Sequence, residues 1–197
     1  RRLGRARCAG ERERWAVWIT GRPGSGKTTI ASRVVEALKR RGQPALLLDL
    51  AEARRVILGT HHAAPEHDDV AHRAFVYAAA RLVEAGVPVV LDGTAPRRAW
   101  RELARTLIAR FAEVQLLCPD EVCAERERAT RWGLVACASA APAAGRGRGP
   151  DIVVDYECSL RPDLIIHTHL EDPWTAADAV LTLARQLQPP PAADRRP

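Results

Sequence analysis

The sequence predicts a three-layer α/β sandwich, with a mostly parallel five-stranded sheet and helices on both faces. Apolar, strand-like runs alternate with helix-period segments along the chain, which is the signature of consecutive β-α units. The first run, "WAVWIT" at 15–20, passes through the glycine-rich "GRPGSGKTT" straight into an amphipathic segment. A length of 197 residues at 47% hydrophobic content suits one compact domain with a sizeable core.

Residues 1–13 are charged and aperiodic and read as a flexible arm ahead of a domain spanning 14–188. Strands are expected at 15–20, 45–48, 87–91, 113–117 and 164–168, each a short apolar run. Pro88 falls near a strand start, where its missing N–H is tolerated. Helices are expected at 28–40, where Ile30, Val34, Val35 and Leu38 share a face, and at 70–85, closed by Gly86 as a C-cap. Three more fall at 97–110, 119–131 and 173–187, the last opening with Pro173 in its first turn. The low-complexity stretch 137–150 reads as mobile, and with the helix before it makes a lid region over about 126–150. The proline-rich 189–197 cannot continue a helix and reads as a disordered tail.

Residues 21–28 satisfy the spacing G-x-x-x-x-G-K-[ST] through Gly21, Gly26, Lys27 and Thr28. Arg22, Pro23, Gly24 and Ser25 lie between, and Thr29 follows. The glycines let the backbone curl until successive N–H groups point into one concavity, and the following helix adds its positive dipole end there. Lys27 brings a cation to the β- and γ-phosphates of a nucleotide, and Thr28 offers a hydroxyl to Mg²⁺. A chance glycine-rich turn would need neither a strand before it nor a helix after it, and this motif has both. The expected fold class is therefore that of the P-loop NTPases, with ATP and Mg²⁺ as cofactors. No Asn occurs, so the N-K-x-D guanine signature is missing, and the chain reads as too short for a motor or switch. A small kinase is the expectation.

Asp49 follows "ALLL" and Asp92 follows "VPVVL". In an open parallel sheet the C-terminal strand ends face the ligand crevice, so both carboxylates are placed beside the phosphates. Asp92 is assigned to the metal and Asp49 to the acceptor hydroxyl as base, with the reverse assignment left open. Either acid could instead cap a following helix, a reading that weighs most on Asp49 because "AEARRVIL" looks helical. Arg54, Arg73 and Arg98 are expected as a set facing the crevice, and Arg126 and Arg131 in the lid, where an arginine would neutralise the transferring phosphate.

The net charge of +6 suits a pocket for several phosphates. Its basic residues are scattered rather than interleaved with aromatics, which argues against a nucleic-acid partner. His61, His62, His67 and His72 lack the i, i+4 spacing that pairs two metal ligands on a helix face. Five cysteines without a C-x-x-C predict reduced thiols in a cytoplasmic protein, and no apolar run reaches eighteen residues, so no membrane span is expected.

Over roughly residues 15–187 the order of features resembles the adenylylsulfate (APS) kinase family. "WAVWITGRPGSGKTTIASRVVEAL" is similar to that family's opening strand, loop and helix. "LLLDLAEAR" stands at its L-D-G-D-N-x-R and "APRRAWRELAR" at its S-P-x-R. "DEVCAERE" resembles its L-E-V-C-E-x-R, and "DYECSLRPDLII" its Y-E-x-P-x-x-P-D-L-x-I. The resemblance implies transfer of the γ-phosphoryl group of MgATP to the 3′-hydroxyl of APS. It implies that Asp49 is the first acid of D-G-D-N and Arg54 its arginine, that Arg73 is a helix arginine of the acceptor site, and that Arg98 is the arginine of S-P-x-R.

The departures concern the acceptor. The second acid of D-G-D-N, usually given the catalytic role, is Ala51, and its Asn is Glu52. The R-x-E-N before Arg73 reads "DDVA", the serine of S-P-x-R is Ala95, and both lysines of K-G-L-Y-x-K-A are missing from "WGLVACA". The expected partner is thus a small molecule, either APS or a modified hydroxyl acceptor, with a homodimer as one allowed assembly. "VVLDGTAPRR" also resembles the D-x-T segment of other small P-loop kinases, where an acid after the second strand does the proton chemistry; Asp49 fits that role without Ala51. The alternative is a non-catalytic nucleotide-binding P-loop protein whose acceptor site has decayed.

Overall fold

The structure, a computed structural model, describes residues 14–59, 65–137 and 155–188. The expected arm at 1–13, the tail at 189–197 and the lid segment 138–150 lie outside the described residues. The elements run β1 (Ala16–Gly21), α1 (Lys27–Arg40), β2 (Leu46–Asp49), α2 (Leu50–Leu58), α3 (Pro65–Glu84) and β3 (Val89–Asp92). They continue with α4 (Arg98–Leu107), β4 (Phe111–Leu117), α5 (Asp120–Cys137), β5 (Leu164–His167) and α6 (Pro173–Gln186). The strands form one sheet in the order β2-β3-β1-β4-β5, with every pairing parallel.

Successive strand residues point to opposite faces, and the sequence uses that alternation to fill two cores. Val17, Ile19, Val90, Val114 and Ile166 pack against Ile30, Val34 and Leu38 of α1 and Val180 of α6. On the other face Trp18, Val89, Leu91 and Phe111 meet Phe75, Val76 and Ala79 of α3 and Trp100 of α4. The central strand β1, apolar on both faces, is buried throughout, whereas the edge strand β2 is partly exposed. The expected three-layer sandwich is what the chain forms.

Three differences from the sequence reading have local causes. The segment "AEARRVIL", which looks helical but was not among the five expected helices, forms α2 directly after β2, capped by Asp49, whose Oδ1 accepts from the N–H groups of Ala51 at 2.7 Å and Glu52 at 3.4 Å. Helix α3 starts at Pro65 rather than 70, with proline in the first turn, where its missing N–H costs nothing. Helix α5 runs on to Cys137 instead of ending at 131, so the described part of the expected lid region is helical.

One structural device was not anticipated. Glu113 and Gln115 sit on the α4 face of β4, buried among apolar neighbours. Arg101 of α4, 1% exposed, reaches Glu113 at 2.9 Å, an ion pair whose atoms are not lined up as a hydrogen bond. Its two terminal nitrogens donate to the carbonyls of Ala95 and Glu157. Ser159 completes the set, its hydroxyl donating to Glu113 at 3.0 Å and its N–H to Gln115 at 3.2 Å. Burial pushes the Glu113 carboxyl up from its ordinary range, and Arg101 opposes that push. The network fastens residues 155–163 to the sheet.

Candidate active site

The turn between β1 and α1 is a cradle for an anion. Gly26, the N-cap of α1, takes a left-handed φ of 94°, and no side chain caps the helix. No acidic residue stands in its first turn, so the leading N–H groups and the dipole end face outward uncompensated. Gly24 has φ 76°, and a Cβ there would overlap the carbonyl oxygen of Cys123, because α5 packs directly on the loop. Ser25 Oγ is buried without a hydrogen-bond partner, an orphaned donor inside the turn. Lys27 is 8% exposed and folds over the loop, its Nζ donating to the Arg22 carbonyl at 2.7 Å. These features fit a bound triphosphate.

Asp92 and Asp49 stand side by side. Ile19, Asp92 and Asp49 are register partners across β1, β3 and β2, so their side chains share one face of the sheet. That face is the α1 face, since Val90, two residues before Asp92, packs in the α1 core. Asp92 is 4% exposed and Thr28 lies in the first turn of α1, which puts two hard oxygen donors on the same side. Among the described residues no group of three His, Cys, Asp or Glu could hold a metal ion by itself. A Mg²⁺ held by one or two protein oxygens and the phosphates needs no such cage.

The expected acceptor arginines are each engaged separately. Arg54, on the inward side of α2, pairs with Asp68 of α3 at 2.5 Å. Arg73 is exposed, with its Nε 4.0 Å from Asp69. At Arg98 the backbone N–H donates to Glu157 at 2.7 Å and the Nε to the Cys158 carbonyl at 3.3 Å. Arg126, expected in the lid, donates through its guanidinium to the carbonyl of Thr168 at 2.7 Å and to the hydroxyl at 3.2 Å, bracing α5 against the end of β5. Arg131 lies in α5, and its side chain is outside the described residues.

Four further residues matter: Tyr156, Glu113 and Gln115, which the sequence reading did not single out, and His72, which it weighed only as a metal ligand. Tyr156 OH is hydrogen-bonded to Thr20, the residue before the loop, and Thr20 donates in turn to the Thr94 carbonyl at 3.1 Å. His72 lies buried against Trp100, with the rings stacked at 3.6 Å and its Nδ1 donating to the Asp68 carbonyl at 2.7 Å. Burial lowers its pKa to about 4. Glu113 and Gln115 within "FAEVQLL" were the legible signal: two polar residues on one face of a buried strand require partners.

Fold and site together define a P-loop phosphotransferase architecture. Residues 13–166 match the adenylylsulphate kinase family, and the chain belongs to it. It is 30% identical over 175 residues to a probable adenylyl-sulfate kinase of Pyrococcus abyssi, covering 89% of this chain and 97% of that one. A probable adenylyl-sulfate kinase of Archaeoglobus fulgidus is 36% identical over 113 residues, 57% of this chain and 73% of its own length. Among solved structures, the Mycobacterium tuberculosis APS kinase CysC in complex with AMPPNP and APS superposes with a TM-score of 0.69 at 23% identity. That match covers 86% of this chain and 96% of the other, and it bears on the fold.

Proposed function

We propose that this chain transfers the γ-phosphoryl group of ATP to the 3′-hydroxyl of APS. The observation that carries the reading is the pairing of Asp49 with Asp92 at the crevice, on the face where α1 presents its uncapped N-terminus. Membership of the family supports it. The loop amides and Lys27 bind the triphosphate, and Lys27 leaves the Arg22 carbonyl to do so. Thr28 and Asp92 would hold Mg²⁺, which when bound neutralises charge between the β- and γ-phosphates. Asp49, oriented by its cap, accepts the proton of the acceptor hydroxyl. The hydroxyl oxygen then bonds to the γ-phosphorus while the bond to the β–γ bridging oxygen breaks, releasing ADP. Arg54, Arg73 and Arg98 hold the anionic acceptor.

No described helix is long and apolar enough to cross a membrane. Cys118, Cys123 and Cys158 are free thiols, and we assign the chain to the cytoplasm. Lys27 in the loop, with Asp49 and Asp92 at the ends of adjacent strands, favours catalysis over a binding-only protein.

The test is γ-labelled ATP with magnesium and APS, run beside a panel of other hydroxyl metabolites. Label appearing on APS supports the reading; label only on another hydroxyl moves the acceptor. Asp49→Asn keeps a capping side chain, so ATP affinity should hold while turnover falls about 100-fold. An unchanged rate would transfer the base role to Asp92.

A further inference from the structure

We propose that Asp68 is a positioning residue that competes with the acceptor for Arg54, so that acceptor binding is an exchange of one anion for another. The inference rests on the reading that Arg54 faces the acceptor. Arg54 lies between the buried Leu50 and Leu58 rows of α2, where the helix meets α3. There its Nη2 stands 2.5 Å from Asp68 Oδ1, and the two side chains are 31% and 35% exposed. The pair is close, yet its atoms are not aligned as a hydrogen bond. A half-buried pair of this kind is screened less than a surface pair, and an anion that takes the Nη2 edge of the guanidinium displaces the carboxylate.

The neighbouring aspartate shows what a structural role looks like. Asp69 accepts the Trp100 indole N–H at 2.8 Å and so ties α3 to α4. Asp68 contributes to packing through its main chain instead: its carbonyl, not its carboxylate, anchors His72 at 2.7 Å. Among the described residues the Asp68 carboxylate has Arg54 as its one ion-pair partner. The side chain can therefore be altered while the helix keeps its anchors.

The chemistry that follows is selective. A phosphosulfate or phosphate group offers a planar pair of anionic oxygens to a guanidinium and can outcompete one misaligned carboxylate. A neutral hydroxyl compound gains nothing from Arg54 and leaves the internal pair intact. Asp68 thus weakens anionic acceptors by the cost of breaking the internal pair and leaves neutral ones untouched, so that only a strong oxyanion binds through Arg54.

The experiment uses the full chain with Asp68→Asn and Asp68→Ala. With saturating MgATP, KM for APS should fall about fivefold while kcat changes far less. Adding Arg54→Ala to the Asp68→Asn chain should erase that gain. An equal or higher KM in both Asp68 variants overturns the proposal, whereas APS turnover in the wild type keeps the functional reading. A second arm needs no turnover: melting temperature in sodium sulfate against sodium chloride at matched ionic strength. Asp68→Asn should gain more from sulfate than the wild type, and the chain also carrying Arg54→Ala should lose the excess. If no chain phosphorylates APS, the functional reading fails, and an equal sulfate response in all chains then overturns this proposal as well.

Discussion

On the nucleotide side of the crevice the motif comes from nine consecutive residues, 21–29, whereas on the side proposed above for the acceptor Arg98 is held by Glu157, 59 residues away. The loop is specified locally: positive φ at Gly24 and Gly26, an uncapped helix and one lysine follow directly from the motif. The proposed acceptor side is assembled from α2, α3, the turn after β3 and the segment 155–163, each positioned by contacts the others supply. A locally specified site tolerates change elsewhere, while an assembled one inherits every fault in its supports. The family pattern is kept at the loop and departs from it at Ala51, Glu52 and Ala95.

The largest expected effect breaks the local side. Lys27→Ala removes the cation that folds over the loop, and kcat/KM should fall about 100- to 1,000-fold. The fold should survive, because the substitution takes away no core contact of α1. Steady-state kinetics with ATP as the varied substrate, run beside thermal melts, separates the two quantities. Wild-type kinetics would reject the loop assignment.

Next comes the assembled side. Arg101→Ala strands Glu113 in a buried position and leaves the Ala95 and Glu157 carbonyls without their donor. Breaking a buried pair from one end costs about 3–5 kcal/mol. Denaturant unfolding should show that loss, and KM for APS should rise more than the Kd for ATP. Arg101→Met with Glu113→Leu should recover much of the stability, since removing both charges removes the unpaired one. If the single substitution cost no more than a surface change, the network would not be what secures residues 155–163.

This contrast also explains which parts were legible in the sequence. The sheet was, because "WAVWIT" and "VPVVL" are apolar on both faces and can only be central strands. The loop was, because its spacing is a local geometric demand. Asp49 was half legible: its place at a strand end was foreseen, and its capping bonds to Ala51 and Glu52 were seen only as a competing reading. Both hold at once, since a strand that runs straight into a helix makes its last residue the cap. The contact of Arg126 with Thr168 was illegible, because the two lie 42 residues apart and spacing carries no information about it. Ala95 at φ 42° was illegible for the same reason, its carbonyl being turned to Arg101 by tertiary structure.

The smallest effect sharpens the comparison through pH. His72 is buried against Trp100, and desolvation lowers its pKa from 6.5 to about 4, outweighing the nearby Asp68 and Asp69 carboxylates that favour the charged ring. The unfolded chain therefore binds a proton below pH 6.5 that the folded chain refuses until about pH 4. Stability is unaffected above that window and falls as pH drops through it, by about 3 kcal/mol at most. His72→Gln has no ring to protonate, so its unfolding free energy should decline less steeply between pH 6.5 and 5 than that of the wild type. Parallel slopes in urea titrations over that range would show that His72 titrates as it does in water. The α2–α3–α4 seam carrying Arg54 and Asp68 would then be wetter than its packing implies, and the difference between the two sides of the crevice would shrink accordingly.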